Sequence, residues 1–264
     1  MDSRQYIPEA WSQFAISSDN RQIICNLNYA AEIGPHAPLC LIPTQALNVV
    51  KDPVGLKEKP NVMSQWLDRL TASGCSILLM HGLVYDKLWT LAARAVKDID
   101  GFSEMERRIA AVISHVLEKQ MAQPGKIVAM GSSRHGFAIL HAMANNPDIS
   151  AAVAHQPVIY WPKMKEFQGM EGNSLVQKHD IFQWVDEFSP RPCFVQTGYA
   201  DQRIGQEVID NLVNKLKSTY SRDKVENKFT HDLMNIPGHD GTRVPDSALD
   251  GVVPWLKVQG LIQN

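Results

Sequence analysis

Apolar and polar positions along the chain follow two different periods, and these periods predict strands that alternate with helices. A broken two-residue alternation over residues 12–29, interrupted by the turn signal Ser18-Asp19-Asn20, predicts an antiparallel hairpin. Short and almost continuous apolar runs then predict buried parallel strands. These runs occupy residues 38–43, 75–80, 126–130, 151–154, 193–196 and 229–236.

Between these runs, apolar residues recur at i, i+3, i+4 and i+7, which is typical of amphipathic helices. Such helices are predicted from residue 62 to the stop signal at Gly74, over 103–117, over 204–216 and over 246–258. Ser103 and Glu106 have the spacing of a capping box, so we expect the second of these helices to begin there. Residues 135–145 are apolar on nearly every side, which predicts a buried helix.

This order of elements predicts a three-layer α/β fold, a mostly parallel twisted sheet with helices on both faces. The length of 264 residues suits one such domain over residues 1–264. Residues 156–188 form a long connection between two strands, and we expect a short cap inserted there. Ligands of such sheets bind beyond the carboxyl ends of the strands, so chemistry is expected in the residues that follow each strand.

Composition and charge exclude several classes of function. The 26 basic and 28 acidic residues give a net charge of −2, which argues against a nucleic-acid binder. No apolar run approaches the ~18 residues that a membrane span requires. The first residues lack a secretory pattern, and the four cysteines are scattered, so we expect reduced thiols and a cytoplasmic protein. Nine histidines occur without H-E-x-x-H or C-x-x-C spacing, so neither metal nor cofactor is expected.

The strongest chemical motif lies where strand 126–130 runs into residues 131–136 (GSSRHG) and then directly into the buried helix. This is a G-x-S-x-x-G pattern on a sharp strand–turn–helix connection, close to a nucleophile elbow. A serine held in such a turn projects its Oγ above the sheet, and the small residue two positions earlier lets strand and helix approach closely. By that spacing Ser133 is the nucleophile, since for Ser132 the small position would hold Met130.

At this point the sequence resembles the α/β-hydrolase superfamily, in particular its dienelactone-hydrolase and prolyl-oligopeptidase-like branch of serine esterases. His135 departs from the family pattern, which usually has glycine there, so its side chain must point away from the strand. Residues 189–201 (SPRPCFVQTGYAD) look like the family's S-P-x-P-strand-G-x-x-D segment and end on Asp201. His239 follows the last strand, which gives the family's order of serine, acid and histidine.

The resemblance implies a catalytic triad in which His239 accepts the proton of Ser133 while Asp201 orients the imidazole. The chain would then be a serine hydrolase for an ester, lactone or thioester of a small molecule. Other interpretations stay open: Asp201 as a helix N-cap before Ile204, and His239 as a turn residue with His231 as the base. Asp232 and Asp240 are weaker candidates for the acid because of their positions.

The resemblance also implies an oxyanion hole built from the backbone N–H of Arg134 and one N–H from the loop after strand 39–42. Thr44 or Gln45 would supply that second N–H. His81 and Gly82 offer a competing placement, which we disfavour because strand 75–80 comes one element later.

The segment 156–188 is rich in aromatic and methionine side chains that could form an apolar substrate pocket. Tyr160, Trp161 and His135 are the residues that we expect to line it. Packing of an amphipathic helix near 174–187 explains the same pattern equally well.

Two rival functions remain. Arg134-His135-Gly136 matches the R-H-G motif of histidine phosphatases, although that motif belongs near the start of their fold. A non-catalytic relative, or a lyase that uses the triad as a base, is the other alternative. The sequence gives neither the identity of the substrate nor the oligomeric state, a homodimer included.

Overall fold

Strands and helices alternate along the chain in the structure, a computed structural model that describes residues 11–19, 21–30, 34–44, 62–81, 88–199, 201–235 and 247–262. Within these residues the strands are β1 (Trp11–Ser18), β2 (Arg21–Asn28), β3 (Leu39–Thr44), β4 (Ser76–His81), β5 (Ile127–Ser132), β6 (Ile149–His155), β7 (Cys193–Gly198) and β8 (Phe229–Met234). The α-helices are α1 (Val62–Ala72), α2 (Leu88–Val96), α3 (Gly101–Glu118), α4 (Arg134–Asn145), α5 (Ser174–Lys178), α6 (Gln206–Arg222) and α7 (Ala248–Val258).

The strands form one sheet in the order β1-β2-β4-β3-β5-β6-β7-β8. The hairpin of β1 and β2 is antiparallel and joins β4 in antiparallel fashion, whereas every ladder from β4 to β8 is parallel. This confirms the predicted hairpin and the mostly parallel sheet. Because the parallel strands point the same way, their carboxyl ends meet at one edge, with β5 flanked by β3 and β6.

Both faces of the sheet are buried, which explains why the parallel strands read as continuous apolar runs. On one face, here the α1–α7 face, side chains such as Ile42 and Met130 pack against α1 and α7. On the other, here the α3–α4 face, Leu41 and Ala129 pack against a layer that contains α2, α3, α4 and α6. Each fully buried large aliphatic side chain contributes about 1.5–3 kcal/mol, so the two layers hold the sheet firmly.

Helix boundaries differ from the predictions where a local hydrogen bond decides them. The capping box at Ser103 was wrong, because Asp100 is the N-cap of α3 and its Oδ1 accepts the Ser103 N–H at 2.9 Å. Helix α6 extends to Arg222, six residues beyond the predicted end. Helix α2 was missed, although Leu88 begins an i, i+3, i+4, i+7 pattern. None of the described helices has the length and apolarity that a bilayer crossing demands.

The connection over 156–188 contains only short helical turns: α5 and 3-10 turns at 161–163, 165–167, 181–183 and 185–187. The predicted amphipathic helix near 174–187 was therefore wrong in extent, because Asp180 caps a new turn by accepting the Phe182 N–H. The segment packs on the α3–α4 face, where Asn173 donates to the carbonyl of Ala95 and Trp184 stacks on His141 at 4.0 Å.

All four cysteines, Cys25, Cys40, Cys75 and Cys193, belong to the described residues and are buried free thiols. Burial raises the pKa of the Cys193 thiol to about 12, so the thiol stays protonated at neutral pH. These side chains act as small hydrophobic residues of the core.

Candidate active site

A sharp turn joins β5 to α4, and Ser133 lies at its apex with φ 55° and ψ −124°. A non-glycine residue with this backbone conformation costs about 1–3 kcal/mol and persists only where its surroundings hold it. Three backbone hydrogen bonds do so here: Ser133 N–H donates to the carbonyl of His155 at 2.9 Å, and the Ser133 carbonyl accepts from Phe137 and Val158, both at 3.1 Å. The half-buried serine side chain is thereby fixed beyond the end of the strand.

Two glycines allow this turn to close. A Cβ on Gly131 would lie 2.5 Å from the carbonyl oxygen of His135, and a Cβ on Gly136 would lie 3.0 Å from the Cβ of Pro157. Neither position tolerates a side chain without movement of its neighbours. The backbone of His135, rather than its imidazole, is what approaches Gly131, which explains how histidine can stand where the family usually has glycine.

The surroundings of Ser133 favour a negative charge. Ser133 is the N-cap of α4, so the first N–H groups of that helix, beginning with Arg134, lie beside it. Burial lowers the pKa of the Arg134 guanidinium from a very high ordinary value. Burial, with a contribution from the charge of Arg134, lowers the pKa of His135 to about 3, so that this imidazole is neutral at pH 7.

Asp201 follows β7 and is 3% exposed. Its Oδ1 accepts the N–H groups of Arg203 at 2.9 Å and Ile204 at 3.0 Å. The carboxylate therefore organises a turn, but it is not a helix N-cap, because α6 begins at Gln206 with Gly205 as its N-cap. Both bonds fall on Oδ1, so the turn does not occupy Oδ2.

The alternative base and acids occupy other places. His231 lies within β8, level with Gly131 but three strands away, which at strand spacing is about 14 Å. Its Nε2 is 2.8 Å from Thr197 Oγ1. Asp232 Oδ2 accepts from the Gln196 amide at 2.7 Å. His239 and Asp240 lie outside the described residues.

The sheet order bears on the second oxyanion donor. Strand β3 lies directly beside β5, and extending the pairing of Leu41 with Ala129 by three residues brings Thr44 level with Ser132. His81 ends β4, one strand farther from the elbow. Gln45 and Gly82 lie outside the described residues.

Solved structures share this arrangement of strands and helices. A glucuronoyl esterase from Solibacter usitatus superimposes with a TM-score of 0.67 at 11% identity, over 96% of this chain and 86% of that chain. An esterase from Pyrococcus furiosus gives a TM-score of 0.64 at 14% identity, over 94% and 90% of the two chains. A cold-adapted esterase from an Arctic intertidal metagenomic library gives 0.61 at 17% identity, over 96% and 95%.

The chain has the α/β-hydrolase fold. At this level of identity the likeness concerns the fold and not the reaction. No protein-family model and no curated protein sequence matches the chain.

In this α/β-hydrolase fold the residues predicted to line a pocket have unequal exposure. Trp161 is 1% exposed, and its ring centroid lies 5.0 Å from Phe102, 4.8 Å from Phe137 and 5.0 Å from Phe167. Tyr160, the preceding residue, is half-buried. Trp161 thus belongs to an aromatic cluster, and the pocket role of these residues stays a prediction.

Sequence reasoning missed a row of polar residues across the α1–α7 face at the carboxyl ends of the strands. Each member lies two residues beyond an apolar side chain of that face, and alternate strand residues share a face. The ladders place Thr44 opposite His81, and Ser132, His155, Gln196 and Asp232 side by side. The signal in the sequence is a polar residue at the last inward position of each apolar run. We call this set the polar row: Thr44, His81, Ser132, His155, Gln196 and Asp232.

Proposed function

We propose that this chain is a serine hydrolase that cleaves a carboxylic ester, lactone or thioester of a small molecule through an acyl-enzyme. The observation that carries the proposal is the strained conformation of Ser133 between β5 and the start of α4, with Gly131 and Gly136 permitting the close approach. A strained residue at a strand end beside a helix N-terminus is where activated nucleophiles are found. The esterases among the structural relatives support the same class of reaction.

In the proposed mechanism, Ser133 Oγ attacks the substrate carbonyl carbon while His239 accepts the hydroxyl proton. Asp201 Oδ2 accepts a hydrogen bond from His239 and stabilises the imidazolium. The oxyanion of the tetrahedral intermediate is bound by the Arg134 N–H and by the backbone N–H of Thr44 or Gln45.

The intermediate then collapses, and the alcohol or thiol leaves with the proton that the imidazolium returns. A water molecule, deprotonated by the same imidazole, attacks the acyl carbon. The acid departs and the serine hydroxyl is restored, with no cofactor consumed.

The substrate pocket is proposed to form beside the insertion 156–188, within one domain over 1–264. Half-buried Tyr160 is the residue best placed to contact an acyl or alcohol group, with Trp161 behind it. His135 contributes a neutral imidazole close to the nucleophile.

The phosphatase alternative fits the structure poorly. Arg134-His135-Gly136 opens α4 after the fifth strand in the chain, and His135 is only 5% exposed, too little for a phosphorylated nucleophile. A lyase that uses the same triad as a base, or a binding protein without catalysis, requires no different geometry and is separated by activity.

The test compares Ser133→Ala with the matched control Ser132→Ala on a panel of esters that differ in acyl length and charge. We expect Ser133→Ala to lower kcat by at least about 10³-fold, because the nucleophile is lost, and Ser132→Ala to change it less than about tenfold. His135→Ala should alter KM more than kcat. Equal activity of Ser133→Ala and wild type would contradict the proposal, as would absence of turnover with every ester.

A further inference from the structure

Four polar side chains form a hydrogen-bonded chain across the strands that lead to the elbow. Gln13 Nε2 donates to Asn26 Oδ1 at 2.9 Å, Asn26 Nδ2 lies 3.0 Å from His81 Nε2, and His81 Nδ1 lies 2.7 Å from Thr44 Oγ1. We call this set the His81 relay. It passes from exposed Gln13 on β1 through β2 and β4 to buried Thr44 on β3.

The relay has a direction. The Asn26 amide uses its oxygen for Gln13 and therefore presents its NH₂ group to His81, and an amide NH₂ only donates. His81 Nε2 must then accept, so the neutral ring carries its hydrogen on Nδ1 and donates it to Thr44 Oγ1. A hydroxyl that accepts this bond keeps its own hydrogen for another acceptor, and no other described residue bonds the Thr44 hydroxyl.

Pairing of the strands does not require this arrangement. The backbone ladder already fixes Thr44 opposite His81, and the inward positions two residues earlier, Ile42 and Leu79, are apolar. Burying a histidine at 1% exposure and a threonine at 8% costs free energy unless every polar atom is bonded. A buried polar pair at the end of the strand beside the elbow therefore calls for a functional explanation.

We propose that the Thr44 hydroxyl is a catalytic hydrogen-bond donor to the oxyanion, and that His81 and Asn26 are positioning residues that aim its hydrogen. The inference rests on the proposed function and deepens it. Thr44 lies level with Ser132, one strand from the turn that carries Ser133. A hydroxyl that accepts one hydrogen bond is a stronger donor in the next, because bonded chains polarise one another.

The central experiment compares Thr44→Val, which keeps the shape and removes the hydroxyl, with Thr44→Ser, which restores it. We expect Thr44→Val to lower kcat by about 10²-fold with KM changed less than about threefold, as loss of one oxyanion donor does. Thr44→Ser should recover most of that loss. Thermal unfolding of each variant checks that the protein is folded.

A second pair of variants tests the relay and applies even where Thr44→Val does not fold. His81→Asn can place an amide N–H near the position of Nδ1, whereas His81→Leu cannot donate at all. We expect His81→Leu to lower kcat by about tenfold or more and His81→Asn to restore much of it, with KM nearly constant in both. A purely structural role would lower stability in both variants without separating their kcat values.

The outcomes separate the two proposals. If Ser133→Ala has no effect on the ester hydrolysis of wild type, the proposed function itself fails. If hydrolysis depends on Ser133 but Thr44→Val retains the kcat of wild type, only the relay inference is overturned. Equal loss in Thr44→Val and Thr44→Ser overturns it too, because the hydroxyl would then not be the element that matters.

Discussion

The two faces of the sheet differ most near the carboxyl ends of its strands. On the α3–α4 face, Phe102, Phe137, Trp161 and Phe167 form an aromatic cluster in which neighbouring ring centroids lie 4.8–6.2 Å apart. On the α1–α7 face, the polar row occupies the corresponding level. One face gains stability from packed rings, and the other spends it to hold donors and acceptors in place.

The aromatic cluster also anchors the insertion 156–188. His179 stacks on Phe102 at 5.0 Å and lies 3.0 Å from the Asp100 carboxylate. Although burial alone would raise the pKa of Asp100, hydrogen bonds from His179, Ser103 and Lys178 lower it well below its ordinary range. The insertion is therefore fixed by rings and by one ionised carboxylate.

The polar row carries a different cost. His155 and Gln196 are 0% exposed. Burial, partly offset by the neighbouring Gln196 amide, lowers the pKa of His155 to about 3. A neutral imidazole here keeps a charge away from the turn at Ser133, whose N–H donates to the carbonyl of the same residue.

The largest expected effect is a loss of stability in mild acid that involves both faces. Burial lowers the pKa values of His135, His141 and His155 to about 3, against about 6.5 in the unfolded chain. Below pH 6.5 the unfolded state binds more protons, so the folded state loses stability as pH falls. Each histidine should cost about 2 kcal/mol between about pH 7 and about pH 5. Denaturant unfolding at a series of pH values measures this loss.

His141→Phe provides the control for that prediction, because it keeps a ring in the stack with Trp184. The slope of stability against pH should fall by one proton. An unchanged slope would show that His141 does not remain neutral in the folded protein.

The next effect separates packing from catalysis. Phe102→Ala removes a fully buried ring of the aromatic cluster and should cost about 3–5 kcal/mol in unfolding free energy. The kcat of the folded variant should stay within about threefold of wild type, in contrast to Thr44→Val. Unfolding and ester hydrolysis are measured on the same preparations. A loss of kcat as large as that of Thr44→Val would erase the contrast between the faces.

A smaller effect is expected at the anchor of the insertion. Asp100→Asn removes the charge that Lys178 and His179 share and should cost about 1–3 kcal/mol. Lys178→Met is the matched control, because the lysine side chain is 60% exposed and should contribute under about 0.5 kcal/mol. Chemical unfolding compares the two variants, and equal losses would contradict the assignment.

The smallest effect concerns the outer surface of the α1–α7 face. Arg69 of α1 and Asp250 of α7 form an ion pair at 2.7 Å, with side chains 39% and 67% exposed. Asp250→Asn should change the unfolding free energy by no more than about 0.5 kcal/mol, less still in high salt. A loss above about 1 kcal/mol would mean that this pair, rather than the apolar core, holds the two helices together.

The sequence predicted the fold well because buried parallel strands leave uninterrupted apolar runs, and because the elbow needs glycine at fixed spacing around Ser133. Helix ends were predicted less well, since side chains compete for them: Asp100 takes the cap that Ser103 seemed to offer. The polar row could not be derived, because its members come from distant segments and only strand register aligns His155 with Gln196.

The central claim is that Ser133 is an activated nucleophile, and labelling with a fluorophosphonate tests it most directly. The folded protein should take up one equivalent of the reagent, and peptide mass spectrometry should place the adduct on Ser133 and not on Ser132. Denatured protein should remain unlabelled, since the activation depends on the fold. Absence of labelling in folded protein, or an adduct on another residue, would contradict the account.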